Sequence, residues 1–176
     1  MDAVTRTAFH QLVPISDRYA TLPVSEAFTW DACLADVPPG DWYMVAFRSI
    51  RRPDADEARL TAYDEWAHTE AMQAPGFVHY LKGPADVHGR CMSFCLWTSR
   101  HEARAAAGRP AHVRAAALTF ESYAHYSLEF HRVRRTAGGS FTFEPYDLVA
   151  TETPLNGVPT VASLPAADLI TQPAAS

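Results

Sequence analysis

Two cysteines and two histidines stand close together in one stretch of the sequence, "VHGRCMSFCLWTSRHEA", residues 87–103. Thiolates and imidazoles are the ligands of zinc sites, and paired thiols carry redox chemistry. On a helix, Cys91 and Cys95 would lie one turn apart, but on a strand they would lie about 13 Å apart at ~3.3 Å per residue. That distance is too long for a disulfide, which needs Cα atoms within roughly 7 Å, and for a shared zinc ion. The local structure therefore decides whether this stretch is a site.

The alternation of this stretch predicts a strand that is covered on both faces. Its side chains fall into two sets, which are Cys91, Ser93, Cys95 and Trp97 on one face and Met92, Phe94 and Leu96 on the other. We therefore interpret the two cysteines as small buried hydrophobic residues and expect no bound metal. The chain has three cysteines in all, an odd number that does not make a disulfide framework.

A histidine on a later helix is the stronger candidate for chemistry. His112 lies in "RPAHVRAAALTFESYAHY" (residues 109–126), beside an apolar stripe and on the side of Tyr123. An imidazole suits a general base near neutral pH or an axial metal ligand. We interpret His112 as the catalytic base. The alternative is a structural histidine near the start of a helix segment, hydrogen-bonded to nearby backbone.

Arg48 is the candidate for holding a substrate anion. It shares the strand parity of Met44 and Ala46, so it is either solvated at the sheet end or buried and paired, and a buried guanidinium could hold a carboxylate or phenolate. Six further side chains are expected to line the substrate, and these are Tyr63, Trp66, His79, Trp97, Phe120 and Tyr123. We interpret Asp64 and His68, four residues apart on a helix, as a solvated surface pair.

The elements that position these candidates follow the order β-α-β, β-α-β. Residues 41–50, "DWYMVAFRSI", are apolar on both parities, which predicts a strand covered on both faces. A first helix is predicted from the acids at 54–57 to Pro75-Gly76, and a second, broken at Gly108, is capped by Ser99 with Glu102. The other predicted strands lie at 77–83, 91–99 and 127–135, with a possible fifth at 140–149.

Two β-α-β halves predict a ferredoxin-like α+β sheet with both helices on one face. The second face needs a cover, and the chain offers no further long helix. A second copy of the sheet is the simplest cover, so we expect a homodimer through the sheet face that forms a dimeric α+β barrel. The expected organisation is an N-terminal extension (1–40), the α+β domain (41–150) and a Pro/Ala-rich tail (151–176), extended or partly disordered.

Charge and hydropathy narrow the classes of partner. The formal net charge of −5 argues against nucleic-acid binding, which needs a basic face. No run approaches the ~20 apolar residues of a membrane helix, and the first residues lack the apolar core of a signal peptide, so we expect a cytoplasmic protein that binds neither nucleic acid nor membrane. Lys82 is the only lysine beside many arginines and alanines, a bias typical of GC-rich bacterial genomes.

Two segments resemble the antibiotic biosynthesis monooxygenase-like family of dimeric α+β-barrel proteins. One is "APGFVHYLKG", in which a helix ends in Pro-Gly before a strand, and the other is "LWTSRHEARAAAGRPAHVRAA", in which a broken helix carries Pro-Ala-His. The resemblance covers roughly residues 41–135. It implies a homodimer with a pocket between the helices and the sheet.

The resemblance also implies a reaction. It suggests a small tailoring enzyme that oxidises an aromatic or polyketide-like molecule without a cofactor, because the substrate anion itself reduces oxygen in a dry pocket. In the haem-degrading branch of the superfamily, the residue matching His112 binds iron, so the alternative cofactor is haem. A third possibility is a non-catalytic dimer that binds a small ligand, which we would favour if the space between helices and sheet were filled.

Overall fold

Four antiparallel strands in the order β2-β3-β1-β4 form the centre of the sheet. The computed structural model describes residues 7–146 and the backbone of 151–153 and 160–161. The strands are β1 (Gly40–Arg51), β2 (Phe77–Leu81), β3 (Arg90–Trp97), β4 (Tyr123–Arg135), β5 (Phe141–Pro145), β6 (Thr151–Thr153) and β7 (Thr160–Val161). The helices are α1 (Val24–Ala27), α2 (Glu57–Met72), α3 (Arg100–Ala107), α4 (Pro110–Ala117) and α5 (Thr119–Ser122), with 3-10 helices at Tyr19–Thr21 and Trp30–Cys33.

This arrangement confirms the ferredoxin-like α+β fold expected from the sequence. Helix α2 connects β1 to β2, and α3 to α5 connect β3 to β4, so each half of the chain is a β-α-β unit. The sheet continues beyond β4, because β5 pairs with residues 131–135 of that strand and β6 with residues 126–128. Strand β7 pairs with β6. Two short strands therefore lie in the expected tail, whose other residues fall outside the described part of the chain.

The helix boundaries follow local capping, with one correction. The Asp56 carboxylate accepts a hydrogen bond from the Arg59 amide (2.9 Å) at the start of α2, and the predicted cap at Ser99 is confirmed by its hydrogen bond from the Glu102 amide (3.3 Å). The second helix was expected to run to about residue 126, but β4 already begins at Tyr123. Strand β1 pairs along its whole length, and its last residue, Arg51, lies opposite Tyr123, so the partner strand must start there.

One face of the sheet packs against the helices. The odd-numbered side chains of β1 point to this side, where they share a cluster with residues of the other central strands and with small residues of α2 and α3. The buried members are Tyr43, Ala71, Ala74, Phe77, Cys95, Trp97, Ala103, Ala106 and Phe130. Because four of them are alanines, the helices lie close to the sheet without filling all of the space above it.

The opposite face of the sheet is covered by the N-terminal segment of the same chain. Buried residues of this segment, between Ala8 and Val37, form one cluster with the even-numbered side chains of β1 and β3. The largest of them are Phe9, Tyr19, Phe28 and Trp30. We call residues 8–37 the N-terminal layer. The face that a second copy of the sheet was expected to cover is therefore covered by the same chain, through short helical turns and not a long helix.

Hydrogen bonds fix the N-terminal layer to the sheet and to itself. The Tyr19 hydroxyl donates to the Pro84 carbonyl (2.7 Å) and accepts from the Met92 amide of β3 (3.3 Å). The Trp30 indole donates to the Val24 carbonyl (2.9 Å). The face that a second copy was expected to cover is thus already buried, which removes the premise for a homodimer through it. That homodimer stays a prediction.

His79 of β2 lies under the N-terminal layer and makes stability depend on pH. Its ring stacks on Phe9 (centroids 6.2 Å apart) and meets His10 edge-on (4.9 Å), and its Nε2 has no hydrogen-bond partner. Burial, with a smaller contribution from His10, lowers the pKa of His79 from 6.5 to about 4. As the pH falls, His79 becomes protonated in the unfolded chain before it does in the folded chain. The contribution of neutral His79 to stability is therefore fully present above pH 6.5 and is lost as the pH falls toward 4.

We expect the free energy of unfolding to fall by about 2 kcal/mol between pH 7 and pH 5 through His79 alone. Urea unfolding at both pH values measures this change. In the variant His79→Phe, the free energy of unfolding should fall less between pH 7 and pH 5 than in the wild type. In the control His101→Gln, whose site is exposed, it should fall as much as in the wild type. Equal pH slopes in the wild type and His79→Phe would exclude His79 as the group responsible.

No helix in the described residues is long and apolar enough to cross a membrane.

Candidate functional site

A cavity of about 160 Å³ lies between α2, α4 and the helix-facing side of the sheet. Its apolar lining comes from Phe47, Leu60, Ala67, Ala71, Ala115, Ala116 and Leu118. Its polar lining comes from Ser49, Arg51, Thr61, Asp64, His68, Tyr80, Lys82, Cys91, Ser93, Cys95, His112, Thr119, Tyr123 and Tyr126. A cavity of roughly 150 Å³ accommodates benzene in another protein, so this one suits a single six-membered ring.

His112 reaches the cavity from the first turn of α4. Pro110 occupies the start of this helix, where its missing N–H costs nothing. The Glu70 carboxylate of α2 accepts hydrogen bonds from the backbone amides of Ala111 (3.1 Å) and His112 (3.4 Å), which ties the two helices together. Burial lowers the pKa of His112 below its ordinary value, although the charge of Glu70 opposes this shift. The imidazole is therefore neutral at pH 7 and can accept a proton.

Tyr80, Asp64 and Lys82 form a hydrogen-bonded chain at another wall of the cavity. The Tyr80 hydroxyl donates to Asp64 Oδ1 (2.7 Å), and the Lys82 ammonium pairs with Asp64 Oδ2 (2.9 Å). The His68 ring meets the Tyr80 ring edge-on, with centroids 5.1 Å apart. Burial and the Asp64 charge both raise the pKa of Tyr80, so its hydroxyl stays protonated.

Asp64 and His68 correct the sequence interpretation. They were expected to form a solvated pair beside the apolar side of the helix, but both line the cavity. The inner side of α2 is part polar, because Leu60, Asp64 and Ala67 follow one another at helical spacing on the side that faces the sheet. A search for an apolar stripe alone cannot find such a face.

Two further tyrosines on β4 and two cysteines on β3 complete the polar lining. The rings of Tyr123 and Tyr126 lie 5.5 Å apart, and burial raises the pKa of both hydroxyls, which therefore remain hydrogen-bond donors. Burial also raises the pKa of the Cys95 thiol, so it is not a thiolate nucleophile. All three cysteines are free, and the described residues contain no group of three metal-ligating side chains.

Among the residues expected to form the site, His112 and Tyr123 line the cavity. Arg48 does not, because its parity places it on the opposite face of the sheet. There it pairs with Glu129 and donates to the Ala20 carbonyl (2.8 Å). Burial would raise the pKa of Glu129, but hydrogen bonds from His131 and Arg48 outweigh it and lower the pKa to about 2. Arg48 is thus a structural link to the N-terminal layer, not an anion holder in the cavity.

The other expected lining residues lie around the cavity without bordering it. Trp97 faces the helices but packs edge-on against Phe77, with centroids 5.4 Å apart. Tyr63 and Trp66 contact each other on the outer part of α2, and Trp66 is 45% exposed. His79 lies under the N-terminal layer, and Phe120 lies in α5, half-buried and away from the lining. The residues missed by the sequence analysis are Arg51, Tyr80, Lys82 and Tyr126, of which Arg51 shares the odd parity of Phe47.

The cavity also bears on the alternatives left open by the sequence. It is not filled by side chains, which was the condition for favouring a non-catalytic protein. The haem alternative stays a prediction, since His112, the expected iron ligand, lines the cavity.

Comparisons with known proteins place these features in context. The family model described as PB2B2.08-like matches residues 1–145. The UPF0643 protein PB2B2.08 of Schizosaccharomyces pombe is 30% identical over 142 residues, which cover 71% of this chain and 64% of that relative. The chain therefore spans about two thirds of the length of this curated relative. Since the relative comes from a yeast, the bacterial origin expected from composition stays a prediction.

Two solved structures are also similar to part of this chain. One is SnoaB, a cofactor-independent oxygenase from Streptomyces nogalater, with 15% identity, a TM-score of 0.38 and coverage of 56% of this chain and 93% of SnoaB. Another, from Chloroflexus aurantiacus, is assigned to the antibiotic biosynthesis monooxygenases, with 20% identity, a TM-score of 0.41 and coverage of 56% of this chain and 96% of its own. At these identities the likeness concerns the fold alone.

Proposed function

The chain belongs to the PB2B2.08-like family, and from its cavity we propose that it is a small enzyme that oxidises a single-ring phenol with molecular oxygen and without a cofactor. The observation that carries this proposal is the half-buried, neutral imidazole of His112 in the wall of a ring-sized cavity. A general base in a site that excludes water is the central requirement of such chemistry.

Each part of the lining has a role in the proposed reaction. His112 removes the phenol proton, and the resulting anion is electron-rich enough to reduce oxygen. The hydroxyl of Tyr126 donates a hydrogen bond to the developing negative charge, as a preorganised donor does in an anion hole. Phe47 and Leu60 supply apolar walls that hold the ring.

The overall reaction balances without a further reductant. A phenol with a free ring position becomes a quinone, and one oxygen atom of O₂ becomes the new carbonyl. The other oxygen atom leaves as water with the two hydrogens that the substrate loses. The size of the cavity favours one ring over the several fused rings of a polyketide.

The proposal keeps two expectations from the sequence, which are that the protein is cytoplasmic and that it has no nucleic-acid partner. It does not require a second copy, because every role assigned above is filled by a residue of one chain. Whether a homodimer forms in solution is independent of the assignment of His112.

Blocking the cavity tests this function. Ala115 lines the cavity and Ala117 does not, although both lie on α4. We expect Ala115→Phe to lower kcat/KM for oxygen uptake about ten- to a hundredfold, because the added ring occupies the space in which the substrate's apolar surface is buried. An oxygen electrode with a panel of substituted phenols and hydroquinones, corrected for autoxidation without protein, measures this rate.

Ala117→Phe is the matched control and should leave the rate unchanged, because residue 117 is exposed. Full activity in Ala115→Phe, or an equal loss in both variants, would place the reaction outside this cavity. The absence of oxygen uptake with every phenol of the panel would refute the proposed reaction class.

A further inference from the structure

Arg51 is a charged cavity residue whose hydrogen bonding is incomplete. It is the last residue of β1, and it lines the cavity next to Tyr123, its partner in the β1–β4 register. One terminal nitrogen of its guanidinium binds both carboxylate oxygens of Glu57. Its Nε, however, is buried and has no hydrogen-bond partner. A buried donor without an acceptor is costly, and native proteins usually satisfy it.

Glu57, the partner of Arg51, would compete only weakly with a ligand for the guanidinium. The Glu57 side chain is 64% exposed, so this ion pair is screened by water. The cavity's other cation, Lys82, is already paired with Asp64, and Asp64 also accepts from Tyr80. Arg51 is therefore the lining cation whose carboxylate partner lies outside the cavity and is mostly exposed to solvent.

The two cations of the lining differ in where their partners lie. Lys82 is paired with Asp64 inside the lining, whereas Glu57, the partner of Arg51, does not line the cavity. A guanidinium matches a carboxylate particularly well, because its planar array of N–H donors can bind both oxygens. The neighbouring Tyr123 hydroxyl is a further donor at the same end.

We propose that the substrate is a single-ring aromatic acid, whose ring fills the apolar part of the cavity and whose carboxylate binds Arg51 and Tyr123. This inference rests on the proposed function in that it assigns the substrate of the same cavity. The two negative groups of the substrate then have separate partners, since the carboxylate contacts Arg51 and the ring hydroxyl faces His112.

Binding of a matched pair of probes tests the inference separately from turnover. Benzoate and benzamide have the same ring and nearly the same shape, and only benzoate is charged. We expect isothermal titration of the full-length protein at pH 7 to show tighter binding of benzoate than of benzamide. Arg51→Gln should weaken benzoate binding about ten- to a hundredfold and leave benzamide binding nearly unchanged.

Two further variants separate binding from folding. Arg51→Lys keeps the charge but loses the planar donors, so it should bind benzoate with intermediate affinity. Arg52→Gln is the matched control, because Arg52 also has a buried Nε without a partner but does not line the cavity. It should bind benzoate like the wild type, and thermal melting shows that each variant is folded.

Each alternative outcome overturns this inference and leaves the proposed function open to its own test. Equal benzoate affinity in the wild type and Arg51→Gln would show that Arg51 does not hold the carboxylate. Benzamide binding as tightly as benzoate would show that the cavity does not select an acid. Failure of both probes to bind would remove the aromatic-acid assignment, while oxygen uptake with neutral phenols still reports on the reaction.

Discussion

Replacing His112 with alanine is expected to lower kcat for oxygen uptake by a factor of about 100 to 10,000, the usual contribution of a general base. The imidazole is the neutral titratable group that lines the ring-sized cavity from α4, and burial keeps it unprotonated at pH 7. Without it, no positioned base accepts the phenol proton. Because alanine leaves the ring-binding walls intact, KM should change much less than kcat.

The pH profile and two variants sharpen this prediction. Since the pKa of His112 is lowered, the acidic limb of the wild-type rate profile should lie below the ordinary histidine value of 6.5. His112→Gln keeps a polar side chain without a base and should be as slow as His112→Ala. His101→Ala removes an exposed histidine of α3 and should retain the wild-type rate. A His112→Ala variant with full kcat would end the assignment of the base.

Replacing Trp30 with alanine is expected to lower the free energy of unfolding by about 3–5 kcal/mol, the usual cost of removing a large buried aromatic side chain. Trp30 is 5% exposed at the centre of the N-terminal layer. Its ring packs against Phe94 on the sheet, with ring centroids 5.4 Å apart, and against Phe141 and Phe143 on β5, with centroids 5.6 and 4.9 Å away. Its loss also leaves the Val24 carbonyl without its donor. Small domains have only about 5–15 kcal/mol of stability, so this loss is a large part of the total.

Trp66 provides the matched control for this measurement. Trp66→Ala removes the same side chain from the exposed side of α2, and we expect a change within about 0.5 kcal/mol. Chemical denaturation followed by far-UV circular dichroism gives both values. Each variant keeps three of the four tryptophans. Similar losses for the two variants would show that the N-terminal layer does not contribute to the core in the way described.

Alternation and capping were sufficient to predict the central part of the fold. The sequence "CMSFCLW" alternates as β3 does, with Cys91 and Cys95 toward the helices and Met92 and Phe94 toward the N-terminal layer. Ser99 marks the start of α3 through a local hydrogen bond, which sequence spacing captures. These features depend on neighbours within a few residues, so they could be recognised without the fold.

The choice between Arg48 and Arg51 could not be made from the sequence. Parity shows that the two arginines lie on opposite faces of β1, but it does not show which face borders the helices. That depends on the N-terminal layer, whose short turns contain no long periodic pattern. Trp30 contacts residues more than 60 positions away, and such packing has no local signal.

The N-terminal layer also bears on the homodimer that was expected from the sequence. The sheet face expected to meet a second subunit is occupied by Tyr19, Phe28 and Trp30 of the same chain. A dimer that used this face would have to displace them and expose their apolar surface to water, which is unfavourable. The cavity on the other face requires no such rearrangement.

Intermolecular nuclear Overhauser effects from a bound single-ring phenol, such as 4-methylphenol, test the central claim most directly. We predict contacts to the ring protons of Phe47 and Tyr126 and to the methyl group of Ala115, together with a shifted His112 ring resonance. Contacts confined to the outer surface, with the His112 resonance unchanged, would contradict the assignment of this cavity as the site of the reaction.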